Sequence, residues 1–130
     1  MTNFSNLLIY VVEDDPDDRY LLQLTLTANY PASRIHFFTH GSELFVRLTH
    51  RLDGRLPDMI VLDLETPIMN GFETLQLLKN VDEFRNIPVI VRSSFEMSDY
   101  INRCYELGCK AYVIKSIYPF QFSREMLATG

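Results

Sequence analysis

Short apolar runs of strand length alternate along this chain with segments that carry apolar residues at helical spacing. The runs are rich in Val and Ile, and there are five: LLIYVV (7–12), IHFF (35–38), MIVL (59–62), PVIV (88–91) and AYVI (111–114). Their hydrophobicity is nearly continuous, which is typical of strands buried on both faces of a parallel sheet. Because parallel strands need a long crossover connection, usually a helix, this alternation constrains the fold more than any other feature.

The segments that follow these runs carry the start and stop signals of helices. Helices are predicted after Pro16, from Ser42 as a cap, after Gly71, before Gly108, and over residues 120–127. Five repeats of strand and helix predict an α/β fold with a doubly wound (βα)5 architecture. In this fold, helices cover both faces of a parallel five-stranded sheet.

Length and composition narrow the class of protein. A chain of 130 residues, 47% hydrophobic and 22% charged, fits one globular domain, so we expect a single domain over 1–130 with no output domain. The net charge of −5 argues against direct binding of nucleic acid. No apolar run approaches the roughly 20 residues that span a bilayer, and the N-terminus lacks the features of a signal peptide. Cys104 and Cys109 form no CxxC motif, and because no export signal is present, we expect a cytoplasmic protein with two reduced thiols.

A dense acidic cluster follows the first apolar run, in the stretch VVEDDPDD (11–18). Like charges this close repel each other unless a cation lies among them. One interpretation is therefore a divalent metal site. The other is that Pro16 opens a helix and that the acids favour its positive N-terminal end.

Polar side chains follow four of the five predicted strands, and open parallel sheets bind ligands beyond the carboxyl ends of their strands. They are Glu13, Asp14, Asp63, Ser93 and Lys115. Carboxylates suit Mg²⁺, which some subset of the three acids would hold. Asp63 could then attack a phosphoryl group and form an aspartyl phosphate. The ammonium of Lys115 would neutralise the developing charge, and the hydroxyl of Ser93 would donate to a phosphoryl oxygen.

Four segments resemble the receiver domain of bacterial two-component response regulators, and together they cover essentially the whole chain. They are VVEDD (11–15), DLETPIMNG (63–71), PVIVRSS (88–94) and GCKAYVIK (108–115). The resemblance implies a single-domain receiver, similar to chemotaxis regulators, with a flavodoxin-like strand order. It implies Mg²⁺-dependent phosphorylation of an aspartate and an active state that protein partners read. Such a domain is no enzyme beyond assisting its own phosphorylation and dephosphorylation.

The resemblance also assigns roles to individual residues. It makes Asp63 the phosphoacceptor, Lys115 the phosphate-binding lysine, Ser93 the switch hydroxyl and Tyr112 the switch aromatic residue. The metal-binding positions are Glu13, Asp14, Asp63 and, through its backbone carbonyl, Glu65. The expected partners are a histidine kinase or phosphotransfer protein as phosphodonor and a downstream protein, with neither nucleic acid nor membrane.

Three positions depart from the family pattern. Ser116 stands where the family usually has proline, and Ser94 stands where a small apolar residue is more typical. Glu65 replaces smaller or amide residues, and we expect its carboxylate to tune the lifetime of a phosphorylated state. The lysine-serine step and the long connection 50–58 are similar to the single-domain receivers that partner phytochrome-type kinases.

Three other interpretations of these residues are open. A phosphatase of the haloacid dehalogenase class would need the pattern D-x-D-x-T/V, but here Glu65 is the second acid and Thr66 comes one position early. A degenerate receiver would bind partners without being phosphorylated. A flavin-binding fold is disfavoured, because a phosphate in the first loop would need amides and hydroxyls where this loop has acids.

Aromatic residues crowd the last third of the chain. They are Tyr100, Tyr105, Tyr112, Tyr118, Phe120 and Phe122. Most are expected in the core, and some would form an exposed patch on the fourth helix, fifth strand and fifth helix. In the family this face is a common dimer or partner surface, so a homodimer through it is an expectation.

Overall fold

The computed structural model describes residues 6–65 and 70–115. The elements, in chain order, are β1 (Leu8–Val12), α1 (Pro16–Asn29), β2 (Arg34–Phe38), α2 (Gly41–His50), β3 (Met59–Asp63), α3 (Gly71–Asn80), β4 (Val89–Ser93), α4 (Ser98–Glu106) and β5 (Ala111–Ile114). The predicted alternation is therefore confirmed as far as β5. The predicted last helix, residues 120–127, lies outside the described residues, as do Ser116, Tyr118, Phe120 and Phe122.

The five strands form one parallel sheet in the order β2-β1-β3-β4-β5. This is the flavodoxin-like order, and it confirms the predicted fold class. The order reverses between β1 and β3, so the chain leaves these two neighbouring strands toward different faces of the sheet. A crevice at this reversal is where such sheets bind ligands.

Helices lie on both faces of the sheet, and each face has its own core. Alternate residues of β1 enter different cores: Tyr10 packs with residues of α2, α3 and α4, and Ile9 packs with residues of α1. The central strands β1, β3 and β4 are buried along their whole length, as predicted. The prediction is wrong for β2 and β5, which are only partly buried because they form the two edges of the described sheet.

The helix ends differ from the sequence prediction at one place. Ser42 is not the cap of α2, because the helix begins at Gly41 with His40 as its N-cap. The hydroxyl of Ser42 instead lies 2.5 Å from Nδ1 of His40. Gly108 does follow the end of α4, with a φ of +101° that glycine adopts at little cost. None of the described helices is long and apolar enough to cross a membrane.

The long connection 50–58 is anchored to the sheet through Asp53. Its carboxylate accepts hydrogen bonds from the Tyr10 hydroxyl and from Nε and Nη2 of Arg47, the latter two at 2.8 and 3.0 Å. Nε2 of His36 lies 3.2 Å from Oδ1 of Asp53. Hydrogen bonding to Arg47 holds the pKa of Asp53 well below its usual range, and burial raises the pKa of Tyr10 to about 12. The connection is therefore a structured segment, tied to β1 by a buried charge.

Candidate functional site

The carboxyl ends of the strands bring the predicted site residues together at one edge of the sheet. Glu13 and Asp63 are almost fully buried, with 1% and 2% of their surface exposed, whereas Asp14 is exposed. One oxygen from each of these three carboxylates lies within 4.8 Å of the other two. The acidic group is therefore buried on one side and open to solvent on the other.

Lys115 places an ammonium in the middle of these acids. Its Nζ donates to Oδ2 of Asp63 at 2.8 Å and to Oε2 of Glu65 at 3.2 Å, and it lies 4.0 Å from Oε1 of Glu13. Burial opposes its charge, but the hydrogen bond to Asp63 and the surrounding carboxylates raise the pKa of Lys115 above its ordinary value. The lysine therefore stays charged at neutral pH.

Glu65 reaches from the end of β3 to the end of β4. Its Oε1 accepts the N–H of Ser94 at 3.0 Å, the Ser94 hydroxyl, and the Ser93 hydroxyl at 3.4 Å. Its own N–H donates to Oδ1 of Asp63 at 2.8 Å. Burial alone would raise the pKa of Glu65, but the hydrogen bonds from Ser94 and the charge of Lys115 lower it. These contacts of the carboxylate were not foreseen from the sequence.

The two predicted switch residues meet through the loop after β4. Ser93 is fully buried, and its Oγ accepts the N–H of Phe95 at 3.0 Å. The hydroxyl of Tyr112 donates to the carbonyl of the same Phe95 at 2.7 Å, and its N–H donates to the Tyr105 hydroxyl at 3.2 Å. The surface formed by α4 and β5 is called the α4–β5 face below. The site and this face therefore share one short segment of backbone.

Arg92 is a site residue that the sequence analysis missed. It precedes Ser93 on β4, and its side chain is only 2% exposed. Nη1 lies 2.8 Å from Oε1 of Glu13, and Nη2 lies 3.3 Å from Oδ1 of Asp18. The signal that could have found it is the charged residue that directly follows the apolar run VIV in the buried strand VIVRS.

Glu13 is engaged through both of its carboxylate oxygens. While Arg92 contacts Oε1, Oε2 accepts the N–H of Asp15 at 3.1 Å. Burial raises the pKa of Glu13, and the neighbouring Asp63 carboxylate raises it further, while the charge of Lys115 opposes this. The side chain is therefore held by cationic and N–H donors in a buried position.

The structure divides the acids of this cluster into two groups. Pro16 stands in the first turn of α1, and the N-cap Asp15 accepts the N–H of Asp18 at 2.9 Å. These acids stabilise the start of a helix, as the simpler interpretation predicts. Glu13 and Asp14 instead lie beside Asp63.

Gly71 shapes the chain directly after Asp63. A Cβ at this position would lie 2.5 Å from Cα of Leu64 and 2.9 Å from the carbonyl oxygen of Asp63. Neither backbone atom can move without moving the end of β3. Only glycine therefore lets α3 begin against the strand end that carries the central acid.

Comparison with known proteins adds to this geometry. The sequence matches the family described as the response regulator receiver domain over residues 9–125, which is most of the chain. The chain belongs to this family. The receiver fold, the acidic pocket and the family match agree, and the haloacid dehalogenase alternative is not favoured.

Individual relatives of the receiver are moderately similar to it. It is 30% identical over 113 residues to the two-component response regulator ORR1 of rice, Oryza sativa subsp. japonica, covering 84% of this chain and 49% of the relative. The receiver thus spans about half the length of that curated relative. A crystal structure of the phosphorylated cyanobacterial phytochrome response regulator RcpA superposes with a TM-score of 0.80 at 29% identity, covering 88% of this chain and 84% of that one. The bacteriophytochrome response regulator AtBRR gives a TM-score of 0.76 at 32% identity, covering 87% and 84%.

Proposed function

We propose that this receiver accepts a phosphoryl group on Asp63, with Mg²⁺ as cofactor, and that protein partners read the resulting change. The observation that carries the proposal is the buried Asp63 carboxylate, which accepts a hydrogen bond from the Lys115 ammonium at 2.8 Å and is one of three clustered carboxylates. The similarity to RcpA, whose crystal structure is described as phosphorylated, supports it.

In the proposed reaction, Asp63 is the nucleophile. A carboxylate oxygen of Asp63 attacks the phosphorus of a phosphohistidine, so a P–O bond forms while the P–N bond breaks. The electron pair leaves with the histidine nitrogen, which takes up a proton from solvent. Lys115 is charged and within reach, and it donates to an oxygen of the transferred group. Ser93 donates to another once its hydroxyl turns from Glu65.

The residues present fit a divalent cation. Carboxylate oxygens are hard ligands, and Mg²⁺ keeps several waters while taking one or two protein carboxylates. We propose that the ligands come from Glu13, Asp14 and Asp63, with the backbone carbonyl of Glu65. Two of the three acids are buried, so a cation would relieve their repulsion, and the exposed Asp14 gives access from solvent. When bound, the ion would supply positive charge to the phosphoryl oxygens.

Labelling by a small phosphodonor tests the assignment of Asp63. The variant Asp63→Asn should lose incorporation from acetyl phosphate, because an amide is not a nucleophile for phosphorus. Asp99→Asn, which changes an exposed acid in α4, serves as the matched control and should label like the parent. Undiminished labelling of Asp63→Asn would overturn the assignment of Asp63, whereas a parent protein that takes up no label would favour a degenerate receiver.

The proposed binding of Mg²⁺ is tested by replacing Asp14, the exposed one of the proposed ligands. Asp14→Ala should weaken Mg²⁺ binding roughly tenfold, because one of few carboxylates is removed. It should not lower the free energy of unfolding without metal, since it removes repulsion. Asp17→Ala, an exposed acid in the same cluster, should bind Mg²⁺ like the parent. Equal affinity of all three proteins would leave the cluster with a helix-start role only.

The proposal extends to partners. The similarity to RcpA and AtBRR supports a histidine kinase of the phytochrome type, or a phosphotransfer protein, as the phosphodonor in the cytoplasm. We place the downstream protein, or a second copy of this chain, on the α4–β5 face, where Tyr105 is 49% exposed. Cross-linking with and without beryllium fluoride, which mimics a phosphoryl group, would report dimers through this face.

A further inference from the structure

We infer that the buried positive charge of Arg92 sets how tightly this receiver binds its divalent metal ion. The inference rests on the proposed metal site at Glu13, Asp14 and Asp63. Arg92 is a positioning residue here, because it acts through the side chain of Glu13 and contacts no reacting atom.

The first support is the burial and geometry of the pair. Arg92 and Glu13 are 2% and 1% exposed, and their charged atoms lie 2.8 Å apart. The second oxygen of Glu13 is taken by the N–H of Asp15 at 3.1 Å. A metal ion that uses Glu13 as a ligand must therefore share an oxygen with one of these donors or displace it. A guanidinium on a buried carboxylate is a strong competitor.

The second support is the charge around the pocket. A guanidinium stays protonated under all ordinary conditions, so Arg92 places a full positive charge next to a proposed ligand. Lys115 adds another, 2.8 Å from Asp63. Much of the negative charge that would attract a divalent cation is therefore already balanced by the chain itself.

The third support is a second partner for the guanidinium. Nη2 of Arg92 lies 3.3 Å from Oδ1 of Asp18, whose side chain is 27% exposed. Arg92 can thus keep one ionic contact when Glu13 turns toward a metal. The arginine competes for Glu13 without being left as a buried, unpaired charge, which would be very costly.

Metal titration without any phosphodonor tests the inference. Binding of Mn²⁺ is followed by the paramagnetic resonance signal of the free ion, and Mg²⁺ is measured by competition. Arg92→Gln keeps an amide donor toward Glu13 but removes the charge, and it should bind both ions roughly tenfold more tightly than the parent. Arg92→Lys keeps the charge and should stay within about threefold of the parent. Equal affinity of Arg92→Gln and the parent, or equal tightening by both variants, would overturn the inference.

A double-mutant cycle with Glu13→Gln supplies a readout that a merely structural role would not move. In the parent, where Arg92 is paired with Glu13, this change should lower the affinity for the metal ion by no more than about threefold. In the Arg92→Gln background Glu13 is free to ligate, and the same change should cost roughly tenfold or more. Additive effects would overturn the inference. If Arg92→Gln proves unfolded by circular dichroism, Arg92→Met, which fills a similar volume, takes its place.

The outcomes separate this inference from the proposed function. If Asp63 is labelled in a Mg²⁺-dependent way while Arg92→Gln binds metal no more tightly, the proposed function stands and the inference falls. If Asp63→Asn is still labelled, the phosphoacceptor assignment falls while the metal cycle still reports on Arg92. If none of the proteins binds either ion at millimolar concentration, both the metal site and the inference are overturned.

Discussion

The Glu65 carboxylate holds the groups that a phosphoryl group on Asp63 would need. Lys115 donates to it at 3.2 Å and Ser93 at 3.4 Å, and Ser94 donates through both its N–H and its hydroxyl. At the scale of single residues, Glu65 would therefore compete with a phosphoryl group on Asp63 for these hydrogen-bond donors. Its negative charge would also repel the dianionic phosphoryl group.

Removing this carboxylate should favour the phosphorylated state. For Glu65→Ala we expect several-fold higher steady-state labelling by acetyl phosphate, or a several-fold slower decay of the label, which is about 1 kcal/mol in free energy. The decay is followed in excess Mg²⁺ after the phosphodonor is removed. Glu106→Ala, an exposed acid in α4, is the control and should behave like the parent. If Glu65→Ala matched the parent in both measurements, the contacts of the Glu65 carboxylate would have no effect on phosphorylation.

At the scale of elements, a buried carboxylate helps to anchor the connection between α2 and β3. The Asp53 side chain is 6% exposed and is shared by Tyr10, Arg47 and His36. It lies in the connection that leads into β3, the strand that ends in Asp63. We attribute the order of this long segment to that network, because buried polar groups stabilise a fold only when they are satisfied.

Replacing Asp53 should destabilise the fold in a pH-dependent way. Asp53→Asn should lower the free energy of unfolding at pH 7 by about 2 kcal/mol, because Arg47 and Tyr10 lose a charged acceptor. The pKa of Asp53 is lower in the folded state than in the unfolded state, where it is about 3.9. Its contribution is therefore complete above the unfolded pKa and is lost as pH falls through the folded pKa. The difference in the free energy of unfolding between the parent and Asp53→Asn should therefore become smaller below about pH 4.

Urea unfolding at pH 7 and at pH 3 measures both effects. The matched control is Asp82→Asn, because Asp82 also contacts an arginine but its side chain is 88% exposed. Such a surface pair is worth only about 0–1 kcal/mol, so this variant should stay close to the parent at both pH values. A loss of stability for Asp53→Asn that is the same at pH 7 and pH 3 would show that its charge plays no part.

At the scale of the whole molecule, the last described strand joins the site to the α4–β5 face. The N–H of Lys115 donates to the carbonyl of Ser93 at 2.8 Å, which fixes the end of β5 beside the end of β4. The backbone of Phe95 is hydrogen-bonded to the hydroxyl groups of both Ser93 and Tyr112. We propose that a change at Lys115 and Ser93 reaches Tyr112 through this loop, as a two-state element biased by local charge.

Lys115→Ala should separate phosphorylation from this response. We expect it to retain part of the labelling of Asp63 but to lose the change at the α4–β5 face, since no ammonium then draws the end of β5 to the phosphoryl group. Chemical shifts of residues around Tyr112, recorded with and without beryllium fluoride and Mg²⁺, measure the response. Lys110→Ala, in the turn just before the same strand, is the control and should respond like the parent. A normal shift of the Tyr112 region in Lys115→Ala would contradict the proposed route.

The sequence by itself determined the strands, their alternation with helices and the polar residues at the strand ends. These features depend on local patterns, because a continuous apolar run indicates a buried strand and the residue after it must lie at the sheet edge. Asp63, Ser93 and Lys115 could therefore be placed at one edge from their positions alone. The strand order followed from the resemblance of four segments to receiver domains.

Only the tertiary structure decided which charges meet. Glu13 and Arg92 are 79 positions apart in the chain, and β3 lies between β1, which Glu13 follows, and β4, which carries Arg92, so no spacing in the sequence predicts their pairing. The reach of Glu65 to Ser94 depends in the same way on the packing of β3 against β4. The partial burial of β2 and β5 depends on each having one strand neighbour in the described sheet, which their composition does not encode. Side-chain partners across a sheet are set by strand order and register, and these exist only once the chain has folded.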